Sequence, residues 1–211
     1  MNVHVLPAGP ILTNAYLLTE PGTGEAVLID APEDVWEEVE PLLKKDGCRL
    51  SQLWLTHGHW DHTQGAAEIV RRTGAKVIAH KDDQPILETP EIMGPLLLPG
   101  IVVEPVRVDR WVEDGDVLRA MGREVRIRHV PGHCPGSLMF HFPEAAAAFP
   151  GDALFQGNVG RTDLPGSSGE QLATSIRTKI YTLPDATKVF PGHGGPTTVG
   201  VEKATNPYVR G

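Results

Sequence analysis

The chain has 211 residues, enough for one domain to bury a full hydrophobic core without disulfides as staples. Its formal net charge of -8, with no basic block, weighs against a nucleic-acid partner, whose phosphates are met by clustered Lys and Arg. No apolar run nears the ~20 residues that cross a bilayer, Met1–Thr19 lacks the features of a secretory leader, and two cysteines, Cys48 and Cys134, suit a reducing compartment, so a cytoplasmic protein without a membrane partner is expected.

Val3–Pro7 and Ile11–Thr19 read as strands around the Ala8-Gly9-Pro10 turn, and Ala26–Asp30 as a short buried strand. Glu33–Lys45 has helical spacing of Val35, Val39, Leu42 and Leu43, acids first and lysines last as the helix dipole favours, with Pro41 a place for a bend. Leu50–Leu55 is the next strand, Thr63–Thr73 a helix closed by Gly74, and Lys76–His80 a further strand. This alternation predicts an α/β pattern. Residues 89–100 read as a loop or short helix. Pro105–Arg110, Val117–Arg119 and Glu124–Val130 then read as hairpin strands, followed by Ser137–Phe142 and Ala146–Phe149. Ser168-Gly169-Glu170-Gln171 has capping-box form and opens a helix to Tyr181; Lys188–Phe190 is a last strand and Val199–Thr205 a short helix. No linker or repeat divides the chain, so residues 1–211 are read as a single domain. Its two mixed β/α halves predict two sheets packed face to face, with helices outside both.

Chemistry concentrates in His57-Gly58-His59-Trp60-Asp61-His62, directly after an apolar strand. In an extended segment, residues two apart point the same way, so His57 and His59 can grip one ion. Asp61 and His62 follow at the turn into the next helix and can face a neighbouring ion. Four ligand-type side chains within six residues exceed what one tetrahedral zinc-type site easily accepts from so short a segment, so two adjacent metals fit better. Further candidates follow strand ends at Pro-Gly turns: His133 in Pro131-Gly132-His133, Asp152 in Pro150-Gly151-Asp152 and His193 in Pro191-Gly192-His193. Their repetition predicts convergence on one sheet edge. No Gly-x-Ser-x-Gly elbow is present, and Cys134 reads as a packing residue rather than a nucleophile. His4, His80, His129 and His141 lie in strand-like runs and read as packing or surface residues, with His80 the one placed to line a cleft. Trp54 and Trp60 read as core or cleft wall.

The set Asp30, His57-x-His59-x-Asp61-His62, His133, Asp152 and His193 resembles the metallo-β-lactamase fold superfamily, and within it the glyoxalase II-like (hydroxyacylglutathione hydrolase-like) thioesterases, over nearly the whole chain. The resemblance implies an αββα sandwich of two mixed sheets. It implies that His57, His59 and His133 bind one metal, that Asp61, His62 and His193 bind a second, and that Asp152 bridges both. Asp61 and Asp152 are thereby the carboxylates of the catalytic centre. Asp30 becomes a support for the ligand loop, the competing reading being a cap on the Glu33 helix. Two ions, zinc in first place with iron or manganese as alternatives, imply attack of a shared hydroxide on a thioester carbonyl such as that of S-lactoylglutathione.

The substrate end of the resemblance is less complete. Full-length glyoxalase II enzymes carry a C-terminal helical extension with basic residues for glutathione, whereas 18 residues follow His193 here. Their lysine- and tyrosine-bearing loop reads Gly160-Arg161-Thr162-Asp163, which makes Arg161 the candidate substrate-binding residue, with a solvated Arg161–Asp163 pair as the alternative. Lys203, Tyr208 and Arg210 are candidates to replace the missing basic residues. A small-molecule thioester, with a glutathione conjugate as one form, is the implied partner. Competing activities on the same fold are an iron-dependent persulfide dioxygenase, whose members also show a Gly-Arg-Thr-Asp segment, and a lactonase.

Overall fold

Strand β2 (Thr13–Glu20) is buried along nearly its whole length because its alternate side chains enter two different cores. Ala15 and Leu17 face one apolar cluster; Tyr16 and Leu18 face another. That is the period of two intrinsic to a strand, used here with both sheet faces covered. A computed structural model describes the backbone of residues 1–211 and every side chain except those at positions 95 and 96.

The first sheet runs β1 (Asn2–Ala8), β2, β3 (Glu25–Ile29), β4 (Arg49–Trp54), β5 (Lys76–Ala79) and β6 (Arg110–Trp111), in that order. Strands β1 to β3 pair antiparallel and β3 to β6 parallel. Helices α1 (Trp36–Asp46) and α3 (Ala66–Thr73) cover its outer face through Val39, Leu43, Ala66 and Ile69. The second sheet has the order β14 (Thr197–Thr198), β13 (Lys188–Pro191), β10 (Ala147–Gly151), β9 (Leu138–Phe142), β8 (Arg123–His129) and β7 (Val117–Ala120). Helix α5 (Gly169–Ser175), a π-helical turn at Ile176–Ile180 and α6 (Val199–Thr205) cover it outside through Leu172, Ile176, Ile180 and Val199. Between the sheets Trp54 stacks on Phe140, with ring centroids 5.0 Å apart. The chain is therefore the expected αββα sandwich. Among the described residues no helix is long and apolar enough to cross a membrane.

Three expected elements come out differently. The helix expected over Thr63–Thr73 is split into α2 (Trp60–Thr63) and α3 at Gly65, whose N–H donates to the carbonyl of Ala31 at 2.8 Å. A Cβ at Gly65 would strike the Pro32 carbonyl, so this close approach requires glycine. The strand expected over Pro105–Arg110 survives only as β6, because Val106 N–H donates to Leu87 of α4 (Gln84–Glu88); the segment joins the sheet only from Asp109, whose N–H donates to Val77 of β5. The helix opening at Ser168 begins as expected, its hydroxyl accepting from Gln171 N–H, but widens into the π turn before Tyr181. Residues 90–96 form a 3₁₀ helix, and β11 (Leu154–Phe155) pairs with β12 (Asn158–Val159) in a short hairpin with no strong sequence signal.

Candidate metal centre

Strands β3, β4 and β5 are parallel, so their C-terminal ends share one edge of the first sheet. In the second sheet β8 and β10 both run antiparallel to β9, while β13 is parallel to β10; these three also end together. The two edges are stitched to each other. Leu138 N–H donates to the Thr56 carbonyl at 2.7 Å, Asn14 N–H to the Gly192 carbonyl at 2.7 Å, and the Tyr16 hydroxyl to the Pro191 carbonyl at 2.5 Å. Topology thus brings the loop after β4 together with the turns after β8, β10 and β13, as the Pro-Gly repetition predicted.

All seven expected side chains meet there. His57, His59 and His133 form one group whose ligand atoms lie within 4.8 Å of one another; Asp61, His62 and His193 form a second, and His57, His62 and Asp152 a third that connects them. Asp152 reaches both sides: one oxygen lies 3.2 Å from His62 Nε2, the other 3.6 Å from Nε2 of both His133 and His193. Asp61 lies 3.3 Å from His62 Nε2 and 3.2 Å from His193 Nε2, and accepts the Thr13 hydroxyl at 2.7 Å.

Whether this cluster fits metal ions can be tested on its own atoms. The Nε2 atoms of His57, His62 and His133 and Oδ1 of Asp152 are buried without a hydrogen-bond partner. Buried polar atoms left so are costly. Even at 3.2 Å, His62 Nε2 and Asp152 Oδ1 lack hydrogen-bond geometry, which is what lone pairs aimed at a common third point produce. The donor set of imidazole nitrogen and carboxylate oxygen is that of a transition-metal site. Cations fit.

The opposite ring nitrogens explain the orientation. Asp30, in a left-handed conformation (φ 58°), directs one carboxylate at both metal groups. It accepts from His62 Nδ1 at 2.7 Å and from the Thr56 hydroxyl at 2.7 Å, and that hydroxyl accepts from His57 Nδ1 at 3.1 Å. Thr56 N–H donates to its other oxygen at 2.7 Å. Asp30 therefore supports the ligand loop and does not cap α1, which begins after Val35 without a side-chain cap. His133 Nδ1 donates to the backbone carbonyl of Arg161 at 2.9 Å. Fixing Nδ1–H in this way leaves Nε2 as a lone-pair donor.

At His57 and His59 electrostatics reinforce that state. Burial, helped by neighbouring imidazoles, pushes His57 far down and His59 down to about 3, which keeps both neutral. At His62 burial acts downward, but Asp61, Asp152 and Asp30 outweigh it and raise the imidazole. Burial would raise Asp61 and Asp152; the adjacent His62 and His193 hold both carboxyls below the usual range.

Sequence reasoning missed Asp83. Its buried carboxylate accepts the N–H of Gly58 at 2.8 Å, the N–H of Gly136 at 2.6 Å and the Cys134 thiol at 3.2 Å. It fastens the His57–His59 run to the His133 turn. Burial also pushes the Cys134 thiol well up, so it is no nucleophile. His80 does not line the cleft: its ring stacks on that of His129, 4.0 Å away. Trp54 is core and Trp60 is cleft wall.

A cleft of about 940 Å³ opens over the cluster. Arg161 stands on its wall, and its guanidinium is bound to Asp163 at 2.7 and 2.9 Å, the solvated pair named as the alternative to substrate binding. Lys203, Tyr208 and Arg210 lie away from the cleft lining.

Similar proteins match this chain over nearly its full length. The hydroxyacylglutathione hydrolase GloC of Haemophilus influenzae is 35% identical over 212 residues, covering 99% of this chain and 98% of that protein. The crystal structure of the BLEG-1 B3 metallo-beta-lactamase superposes with a TM-score of 0.92 at 34% identity, covering 100% of both chains. That of TTHA1623 in a di-iron-bound form gives 0.86 at 38% identity, covering 98% of this chain and 100% of that one. The profile of the Metallo-beta-lactamase superfamily matches residues 8–193. With the paired metal-binding groups at one sheet edge, these matches show that the chain belongs to the metallo-beta-lactamase superfamily and is a metal-dependent hydrolase.

Proposed function

We propose that this protein, as one domain spanning residues 1–211, hydrolyses thioesters of the S-lactoylglutathione kind. The single observation that carries the reading is the convergence of unpartnered Nε2 and carboxylate atoms from both sheets on one point at the cleft floor. The relative named hydroxyacylglutathione hydrolase supports the substrate class. We take His57, His59 and His133 as the holders of one ion and Asp61, His62 and His193 as those of the other, with Asp152 shared. Two metal ions so held would supply a Lewis acid for the carbonyl and a water deprotonated near neutral pH. The chain's own part is to aim these donors, through Asp30, Thr56 and the Arg161 carbonyl, and to wall the reacting centre with Trp60. In the reaction water adds to the carbonyl carbon, the C–S bond breaks, and a carboxylate and a thiol leave.

For the metals we propose zinc, which the imidazole and carboxylate donor set suits; iron is the second reading, favoured by the di-iron form of TTHA1623. Elemental analysis of protein prepared without added metal, paired with an S-lactoylglutathione assay, tests both points. About two ions per chain and thioester cleavage are expected. A single iron with oxygen uptake on glutathione persulfide would replace hydrolysis by dioxygenation.

A further inference from the structure

Beside the cluster the cleft has an apolar share of its lining. Trp60 follows His59 directly, and Ile11, Met93, Leu98 and Leu164 line the same cleft. Ile11 and Leu98 are 43% and 45% exposed, and their chain neighbour Leu12 is 66% exposed. Large side chains left open to water beside a reaction centre mark contact with an apolar ligand. Charge points the same way. Arg161 is the only Lys or Arg among the described lining residues, and Asp163 already occupies it in a two-pronged pair. Glutathione carries two carboxylates, and the single cation among these lining residues is already paired with Asp163.

We propose, resting on the thioesterase reading above, that the enzyme selects its thioester by an apolar acyl chain laid along Ile11, Trp60, Met93 and Leu98. The carboxylates of the thiol half contribute little. In a biological thioester the thiol half carries amides and charges while the acyl half supplies hydrocarbon, so the acyl chain is the part that matches this wall. With the carbonyl at the cluster, the chain leaves past Trp60 toward the mouth. Each methylene buried there is worth about a factor of four in binding.

Four substrates test this on the full-length, metal-loaded enzyme: the lactoyl and hexanoyl thioesters of glutathione and of uncharged N-acetylcysteamine. The expected result is that kcat/KM for hexanoyl exceeds that for lactoyl by about tenfold or more with either thiol. Exchange of glutathione for the neutral thiol should cost less than about threefold. Preference for lactoyl, or a loss above about tenfold when glutathione is removed, overturns the proposal. Ile11→Asp and Leu98→Asp, both at exposed positions that tolerate polarity, should each shrink the hexanoyl advantage; an unchanged ratio in both also overturns it. Failure of the reading beneath looks different: then none of the four thioesters turns over.

Discussion

Asp83 and Gly58 are joined by a 2.8 Å hydrogen bond across 25 residues of chain, from the end of one sheet layer to the middle of the metal-binding loop. Asp83 also holds Gly136, so one carboxylate sets the distance between His57–His59 and His133. Asp83→Ala should strand two buried N–H groups, at about 1–3 kcal/mol each. It should also weaken ion retention by about tenfold, as loss of a supporting partner does. Urea titration and competition with a chelator read the two effects separately; unchanged chelator resistance would confine Asp83 to folding.

Asp152→Ala removes the carboxylate whose oxygens face the Nε2 atoms of both metal groups. Activity and metal content should fall together, with both ions affected. Full activity in this variant would refute the shared role. Asp30→Asn is milder, since the amide oxygen can still accept from Thr56. It loses the charge that orients His62, and about 10- to 100-fold in activity or metal affinity should go with it.

Gly192→Ala tests the packing of the site itself. A Cβ there would collide with Asp152 Oδ1 and approach His62 Cε1 to 2.7 Å. Neither neighbour can retreat without leaving the cluster. Activity should fall by about a hundredfold, the scale expected when a reacting group is misplaced by an ångström, while circular dichroism still shows the native fold.

His141, on β9, gives a pH signature separate from the metal centre. Burial, then Arg128 and Arg126, push it down to about 4. An unfolded chain takes up this proton near pH 6.5, so the folded state resists a charge that the unfolded state accepts. The associated stability is complete above about pH 6.5 and is lost as pH falls toward 4, by about 2 kcal/mol. His141→Leu should flatten that decline. Between pH 7.5 and pH 4.5 the wild type should lose about 2 kcal/mol more stability than the variant, read from urea titrations at both values.

The sequence made the centre legible where one signal covers several ligands or repeats itself. His57 to His62 announce themselves by density, and Pro131-Gly132, Pro150-Gly151 and Pro191-Gly192 mark strand ends ahead of His133, Asp152 and His193. Asp30 was legible only with a rival role, since a carboxylate before a helix is equally a cap. Asp83 was not legible at all. Its partners are backbone N–H groups far along the chain, and backbone groups leave no trace in residue identity. The strand expected at Pro105–Arg110 failed for a similar reason: its apolar pattern is real, but the N–H of Val106 is spent on Leu87, outside the sheet. Gly65 looked like a residue inside a helix, and only the nearby Ala31 carbonyl shows why the helix must pause there.

The donors at the cluster come from both halves of the sandwich, four from the loop behind β4 and three from turns of the other sheet. Any ion gripped there is also a clasp between two layers that otherwise adhere by hydrocarbon and a few hydrogen bonds. Unclasping must release the ion, so affinity for metal is simultaneously cohesion of the two layers. The melting temperature should therefore climb with the logarithm of free metal concentration. This enzyme's tolerance of heat would then be set in part by the ionic composition of its surroundings.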